Sequence, residues 1–210
     1  MTRISSKKIT REKLLDQGVA MLMERGYHGT GLQELLASVG VPKGSFYNYF
    51  ASKEEYGVEV IRHYIEPFIL LLEECLREEG DALSGLQRYF REMIQELERR
   101  GFKGGCLLGN LIGEIGDTSK TCMAELRKSL HGYRDKLEEG LARAQREGSV
   151  RDDMPAAVMA DLLADAWQGA LLRMKVEQSV RPLEACIGHL LNGYFKRHHL
   201  YEEDLCNDKT

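Results

Sequence analysis

The stretch GVPKGSFYNYFASKEE, residues 40–55, decides the fold of this chain. It opens with Gly40, Val41 and Pro42, a typical turn signal, after which a helix can begin at Lys43. The preceding residues, 32–39, read LQELLASV and carry their apolar side chains at helical spacing. Two short helices joined by a tight turn are therefore predicted, which is the pattern of a helix-turn-helix.

The second short helix has the surface that a DNA-reading helix needs. Such a helix lies in the major groove, so it requires small or polar residues outward and apolar residues inward. Phe46 and Phe50, four residues apart, would face inward. The outward candidates for DNA contact, together with two flanking positions, are Gln33, Lys43, Gly44, Ser45, Tyr47, Asn48, Tyr49 and Lys53. Plain solvent exposure is the alternative for each of them.

Helices are predicted on both sides of this motif. A helix from Thr10, as N-cap, to Gly26 carries an apolar stripe. A long helix begins after Ser52, and Pro67 is expected to kink it because proline removes a backbone donor. We expect residues 1–55 to form a three-helix DNA-binding domain.

The rest of the chain also has helical periodicity, which makes the fold class all-α. We expect residues 56–210 to form a helical bundle that binds a ligand and dimerises. Its predicted helices after the long one cover residues 83–100, 106–115, 119–147, 155–179 and 182–196. The last two are apolar enough for a dimer interface, with burial inside one chain as the alternative.

The charge distribution divides the chain in the same way. Residues 1–53 carry a net charge of +4, whereas the whole chain carries −4. A basic head on an acidic body favours contact between the head alone and a polyanion. No apolar run is long enough to span a membrane, and none follows the basic N-terminus as in a signal peptide, so we expect a cytoplasmic protein. The five cysteines show no disulfide or metal-site spacing, and no cofactor loop is present, so we expect no metal and no cofactor.

The segment GFKGGCLLGNLIGEIGD, residues 101–117, is the most informative part of the body. Its six glycines disfavour a helix, so the segment needs close packing or serves as a flexible pocket wall. Cys106 stands at the start of a predicted short helix, where backbone N–H groups favour a thiolate. A reactive thiol and a small buried apolar residue are both open interpretations of Cys106.

Residues 26–57, GYHGTGLQELLASVGVPKGSFYNYFASKEEYG, resemble the DNA-binding head of the TetR family of bacterial transcriptional repressors. The shared features are a Gly-aromatic pair, a Gly-Val turn, a basic-Gly pair, a Tyr-x-aromatic-Phe run and Ser-Lys-Glu. The resemblance implies a homodimer whose two recognition helices read a palindromic double-stranded operator.

The body resembles one branch of that family, which responds to reactive electrophiles or small unsaturated carbonyl compounds and includes the repressors of N-ethylmaleimide reductase and of acrylate metabolism. Residues 101–117 and the run AWQGALLRMKVEQSVRPLE, residues 166–184, carry this resemblance. It implies that Cys106 is the sensing or pocket residue. Further candidates for the ligand pocket are Asn110, Trp167, Arg173 and Lys175, with core packing or solvent exposure as the alternative for each.

The sequence therefore predicts a DNA-binding repressor that is not an enzyme and that leaves its operator when a small molecule or electrophile is sensed near Cys106. A non-covalent inducer is the alternative within this class. An enzyme with Cys106 as nucleophile and His131 as base is the alternative from another class, against which no orienting third group can be placed.

Overall fold

Eight α-helices and one 3₁₀ helix build the described part of the chain, residues 6–115 and 119–197 of a computed structural model. Within this part no strand forms, apart from a single bridge between Val150 and Lys196. The helices are α1 (Ser6–Arg25), α2 (Leu32–Ser38), the 3₁₀ recognition helix (Lys43–Asn48), α3 (Lys53–Glu78), α4 (Ala82–Arg99), α5 (Leu107–Ile115), α6 (Lys120–Arg146), α7 (Ala156–Glu177) and α8 (Arg181–His189), which continues as a π turn (Leu190–Tyr194). The predicted all-α class is confirmed.

The start of α1 differs from the expectation that Thr10 caps it. The helix begins at Ser6, and Thr10 lies within it. Lysine is a good helix former, so residues such as Lys7 and Lys8 add another turn without a cap at Thr10. This extra turn brings Lys7 and Thr10 to a surface groove that they share with Asn48 and Tyr49 of the recognition segment.

The head is held together by aromatic packing behind the recognition helix. Phe46 and Phe50 are 0% and 1% exposed, and their ring centroids lie 5.4 Å apart. Tyr56 of α3 packs edge-on against both rings, at 5.7 and 4.8 Å, and its hydroxyl donates to the carbonyl of Leu14 in α1. The inward orientation predicted for Phe46 and Phe50 is confirmed, and Tyr56 ties the long helix to the head.

The long helix α3 links head and body without interruption. Ser52 caps it by accepting a hydrogen bond from the N–H of Glu55, and the Glu55 carboxylate accepts from the N–H of Ala51 in return. Pro67 lies inside the helix, which runs through it to Glu78. Because proline has no N–H, the carbonyl of His63 loses its helical partner at this point.

Two apolar clusters form the core. One consists of side chains from α3, α4, α6, α7 and α8, and it is the core of the body. The other joins the head to α5 and to the start of α6. Cys106 packs against both clusters. The packing of the head therefore continues into α5, and the domain boundary between residues 55 and 56 stays a prediction.

The loop before α5 owes its shape to glycine. Gly104 and Gly105 have φ angles of +86° and +73°, values that side chains with a Cβ adopt only under strain. A Cβ on Gly104 would lie 2.4 Å from the Cε of Met23 in α1. The glycines thus allow this loop to approach the head closely. Of the two roles predicted for the glycine-rich segment, close packing and a flexible pocket wall, this contact fits close packing.

None of the helices in the described residues is both long enough and apolar enough to cross a membrane.

Candidate DNA-binding surface and ligand cavity

The recognition helix presents a polar face to solvent. It is a 3₁₀ helix of six residues with Phe46 buried beneath it. On the outer side Lys43, Gly44 and Asn48 are exposed, and the Tyr47 side chain is 65% exposed. Ser45 is half-buried. This face combines a cation, hydroxyl and amide groups and a glycine that lets the backbone come close, which are suitable partners for base edges and phosphates.

Three flanking residues extend this polar face. Gln33 is exposed on α2, and Tyr49 is half-buried just after the recognition helix. Lys53 lies at the start of α3 with its Nζ 5.2 Å from the centroid of the Tyr27 ring. The ring leaves the ammonium group exposed to solvent while limiting its freedom. The eight residues predicted for DNA contact therefore lie on α2, on the recognition helix, or between that helix and the first residue of α3.

Salt bridges connect this head to the body. Arg11 of α1 pairs with Glu59 of α3, which also pairs with Arg62. Arg62 in turn pairs with Glu125 of α6 at 2.7 Å, and the Glu125 side chain is 9% exposed. A continuous network of ion pairs therefore runs from α1 through α3 to α6. A shift of one of these helices changes the ion pairs that it makes with the others.

A cavity of about 70 Å³ lies in the body where α3, α4, α5, α6 and α7 meet. That volume exceeds the roughly 10–15 Å³ needed for one water molecule, so the cavity has room for several water molecules. Its lining is mainly apolar, and it consists of Met23, Tyr64, Ile65, Phe68, Tyr89, Met93, Glu96, Leu97, Arg100, Lys103, Gly105, Cys106, Leu108, Leu130, Tyr133, Trp167, Gln168 and Leu171.

Cys106 lines this cavity with one hydrogen-bond donor directed at its sulfur. The Nε2 of Gln168 in α7 lies 3.1 Å from Sγ. Tyr64 lines the same cavity, and its hydroxyl accepts a hydrogen bond from the N–H of Leu107 at 3.2 Å. Burial raises the pKa of Tyr64, so this phenol stays protonated and able to donate. The sulfur is therefore held in place as an acceptor, half-buried at the start of α5.

A second pair of hydroxyls faces the same cavity. Tyr89 of α4 and Tyr133 of α6 have ring centroids 6.3 Å apart, and both residues line the cavity. Burial raises the pKa of both phenols. The polar side chains that line the cavity are thus three tyrosines, Gln168, Cys106 and the charged residues Glu96, Arg100 and Lys103.

The cavity adjoins a wide groove of about 920 Å³ between the head and the body. Three cationic side chains line this groove: Arg100, Lys103 and Lys175. The methylene groups of Lys175 pack against Gly105, where a Cβ would lie 3.1 Å from Cδ. On the head side Asp16 and Glu24 face the groove. A ligand that enters the cavity therefore passes between charges of both signs.

The structure brings some of the predicted pocket residues together and places others elsewhere. Cys106 and Trp167 line the cavity, and Lys175 lines the groove. Trp167 is 4% exposed and packs against Phe90 at 4.8 Å between centroids, so it also belongs to the core. Asn110 lines neither space, and its Nδ2 donates to the carbonyl of Gly104, which fixes the loop before α5.

Arg173 also lies away from the cavity and the groove. Its guanidinium is 66% exposed and pairs with Glu177 one turn further along α7. Arg173 follows Gln168 by five residues on α7, so its side chain points to a different side of the helix from the one that lines the cavity. His131, the base considered for an enzyme, is exposed on α6 and does not line the cavity either.

The sequence analysis missed Tyr64, Tyr89, Tyr133 and Gln168 as pocket residues. The available sequence signal for Gln168 as a pocket residue is its position directly after Trp167, where a glutamine lies beside the buried face of an apolar helix. The two tyrosines of α4 and α6 gave no local signal, because only the packing of their helices directs them to one cavity.

The far end of α5 reaches the DNA-binding head. Glu114 accepts hydrogen bonds from the backbone N–H groups of Tyr27 and His28, at 2.7 and 3.2 Å. These residues form the turn that follows α1, where Gly26 has a φ of +73°. A Cβ on Gly26 would lie 2.4 Å from the Glu114 carboxylate, so the glycine makes room for this contact.

A helix-turn-helix head on a helical body defines a DNA-binding transcriptional regulator. Two family models match the chain: the tetR family of bacterial regulatory proteins over residues 14–55, and the Tetracyclin repressor-like C-terminal domain over residues 82–190. The chain belongs to the TetR family of transcriptional repressors, and it is a regulator rather than an enzyme.

Characterised relatives and a solved structure agree with this assignment. The chain is 34% identical over 175 residues to the transcriptional repressor DhaR of a Mycobacterium species, covering 83% of this chain and 86% of the relative. It is 33% identical over 184 residues to the repressor NemR of Escherichia coli, covering 87% and 92%. The crystal structure of the reduced form of NemR superposes with a TM-score of 0.81 at 32% identity, covering 88% and 96%.

Proposed function

We propose that this repressor is released from its operator by a small molecule or a reactive electrophile that is sensed at Cys106. The observation that carries the proposal is the position of Cys106, which lines the cavity and whose sulfur receives a hydrogen bond from Gln168 of α7. A cysteine that served only as core would be enclosed by apolar atoms. A crystal structure of the relative NemR is of its reduced form, which is consistent with a redox-sensitive group in that protein.

The path from Cys106 to the DNA-binding head is α5 itself. Cys106 stands directly before its first residue and Glu114 next to its last, and the helix is about 13 Å long. A group added at Cys106 would displace Tyr64 or Gln168 or move the start of α5. Because a short helix moves as a rigid rod, its other end shifts the Glu114 contact with the turn after α1.

Each head reads one half of the operator in this proposal. Two copies of the chain place their recognition helices one turn of B-DNA apart, roughly 34–36 Å, on a palindromic sequence. A displacement of the heads out of this register lowers operator affinity. The coupling free energy required is on the order of 1–3 kcal/mol, enough for a change of several-fold to more than a hundredfold.

The dimer forms through α7 and α8. A row of apolar side chains on α7 is exposed to solvent, namely Val158 at 43%, Leu162 at 43%, Leu172 at 64% and Val176 at 85%. Val158 with Leu162 and Leu172 with Val176 are two i, i+4 pairs on the same side of the helix, so a second copy can cover them all. Pairing of α7 and α8 with their twins would bury this row, and we place the resulting dimer in the cytoplasm, bound to its operator.

A fluorescence-anisotropy titration tests the sensing step. Labelled DNA flanking the gene of this protein is titrated with wild type, Cys106→Ser and the control Cys186→Ser, each with and without N-ethylmaleimide. We expect wild type and Cys186→Ser to lose operator affinity on treatment, while Cys106→Ser stays bound. Release of Cys106→Ser to the same extent as wild type would refute sensing at this thiol.

A non-covalent inducer is the second candidate, and the groove between head and body favours it. The cations Arg100, Lys103 and Lys175 lie along the approach to the cavity, where they can hold an anionic group of a ligand without any reaction at sulfur. In this version Cys106→Ser keeps its response to the inducer, whereas Lys103→Ala and Lys175→Ala weaken it. The same titration distinguishes the two candidates.

A further inference from the structure

The first turns of α1 form one side of a groove beside the recognition helix. Lys7 and Thr10 of α1 line this groove together with Asn48 and Tyr49 at the end of the recognition helix, and its volume is about 450 Å³. The lining thus combines one cation with three side chains that form hydrogen bonds, and no carboxylate is among these four described residues. The groove therefore has the charge and the polar groups to receive an anion.

The position of Lys7 on α1 directs its side chain to this groove. Lys7, Thr10 and Leu14 are spaced at i, i+3 and i+7, which places them on one face of the helix. Leu14 is fully buried in the core of the head. Lys7 itself is exposed. It therefore lies at the outer end of the face that α1 turns towards the helix-turn-helix.

Two neighbouring basic residues of α1 have different surroundings. Arg11 pairs with Glu59 of α3, inside the network that joins the head to the body. Lys8 lies about 100° further around the helix than Lys7 and pairs with Glu12 at 3.9 Å. Neither Arg11 nor Lys8 belongs to the four residues that line the groove. The charge of Lys7 is therefore set apart from its neighbours by direction.

The groove lies where a DNA backbone passes when the recognition helix enters the major groove. Phosphates form the rim of that groove, so they come beside the exposed side chains of the helix. Asn48 is exposed at the end of the recognition helix, and Tyr49 follows it. A cation on a neighbouring helix at this rim can neutralise a phosphate, and such contacts fix the register of a protein on the duplex.

We propose that Lys7 binds a backbone phosphate of the DNA in this groove and thereby fixes the register of the recognition helix in the major groove. Asn48 and Tyr49 form hydrogen bonds to the same stretch of backbone. The inference rests on the proposed function in one respect, that two heads bind one operator, and it does not depend on sensing at Cys106. It extends the DNA-binding surface from the helix-turn-helix to the start of α1.

The test measures DNA affinity at several salt concentrations in the absence of electrophile. Labelled DNA flanking the gene of this protein and a random-sequence duplex of equal length are titrated with the full-length protein by fluorescence anisotropy, between about 50 and 200 mM salt. The proteins are wild type, Lys7→Ala, Lys7→Arg and Lys8→Ala. Lys8→Ala is the matched control, because it removes the same charge from the adjacent position, on another side of α1.

Both alanine variants should keep the folded head. Lys7 and Lys8 are exposed, and alanine is the strongest helix former. Urea unfolding should therefore give wild-type stability for both. A loss of DNA affinity in Lys7→Ala at unchanged stability then reports a lost contact with DNA rather than a damaged helix.

We expect Lys7→Ala to lower the slope of log K against log salt by about 1.8 in magnitude, because each of two heads loses one phosphate contact that contributes about 0.9. The difference in affinity between Lys7→Ala and wild type should then shrink about twelvefold between about 50 and 200 mM salt. Lys7→Arg keeps the cation and should keep the wild-type slope, and Lys8→Ala should stay close to it. The random duplex should show the same fall for Lys7→Ala, since a phosphate contact carries no sequence information.

Equal slopes for Lys7→Ala and wild type, or equal falls for Lys7→Ala and Lys8→Ala, would overturn the assignment. A loss of affinity confined to the operator would overturn it too, because Lys7 would then contact bases. A fall in slope of about 0.9 in place of 1.8 would support the Lys7 contact and contradict the binding of two heads to one operator. Failure of electrophile to release the operator would refute sensing at Cys106 and would leave these slopes as they are.

Discussion

Glu114 at the end of α5 accepts a hydrogen bond from the backbone N–H of Tyr27, 2.7 Å away in the DNA-binding head. The two residues are 87 positions apart in the chain. The same carboxylate receives the N–H of His28, so one side chain satisfies two donors at the end of α1. Since α5 begins beside Cys106, this contact connects the cavity to the head through one short helix.

Glu114→Ala should lower the stability of the head and reduce its release from operator DNA on treatment with electrophile. Two backbone donors lose their carboxylate partner, and hydrogen bonds to charged groups are worth about 1.5–3 kcal/mol each. We expect a lower free energy of unfolding in urea and a smaller change in operator affinity on treatment with electrophile. Glu114→Gln is the control, because its amide oxygen can still accept one bond. A full response of Glu114→Ala would show that α5 does not transmit the signal.

Pro67→Ala tests whether the long helix bends at its proline. The substitution restores an N–H that can bond to the His63 carbonyl, which strengthens α3. The His63 ring itself contacts Asp16 of α1 at 2.7 Å, so this turn of α3 also touches the head. We expect a higher melting temperature and a weaker release from operator DNA on induction. An unchanged response in the anisotropy titration would rule out a hinge at this position.

Lys53→Ala should reduce operator affinity in a salt-dependent manner. Each phosphate contact contributes about 0.9 to the slope of log K against log salt, and a dimer loses two such contacts. The slope should therefore fall in magnitude by nearly two. Arg146→Ala is the matched control, since Arg146 is exposed in the last turn of α6, about 40 Å along the helix from the end near the head. Equal slopes for Lys53→Ala and wild type would place Lys53 outside the DNA interface.

Cys186 should react slowly with thiol reagents at neutral pH. Burial raises its pKa to about 11, and the thiolate is the reactive form. At pH 8 only about one Cys186 in a thousand is ionised, and its reaction rate should rise about tenfold per pH unit up to pH 10. Limited labelling with N-ethylmaleimide and peptide mass spectrometry gives the order of modification. Labelling of Cys186 ahead of Cys106 at pH 8 would contradict the proposed sensor.

Gly18→Ala should destabilise the head. A Cβ at Gly18 would lie 2.0 Å from the Tyr56 hydroxyl, which donates to the Leu14 carbonyl. Overpacking of this kind costs about 1–3 kcal/mol. Gly44→Ala is the matched control, because a Cβ there meets nothing within 4 Å. Urea unfolding should show a loss for Gly18→Ala and little change for Gly44→Ala; equal stabilities would mean that Tyr56 moves aside without cost.

Local patterns were sufficient for the helices and for the recognition face. The turn at Gly40 and Pro42 and the apolar pair Phe46 and Phe50 predicted the motif, because helix periodicity and turn chemistry depend on neighbouring residues alone. The start of α1 was predicted wrongly at Thr10, since a helix can begin without the most favourable cap. The recognition segment is a 3₁₀ helix, a distinction that periodicity over six residues cannot make.

The tertiary structure alone decided what surrounds Cys106. Cys106 is a candidate from the sequence because it stands before a glycine-rich helix. Its neighbours in the cavity are distant in the chain, since Tyr64 lies 42 residues before it and Gln168 lies 62 residues after it. The same holds for Tyr89, Tyr133 and Glu114, whose contacts cross from one helix to another. The chain by itself determines where helices form and which faces are apolar, while the packing of those faces determines which side chains meet in a cavity.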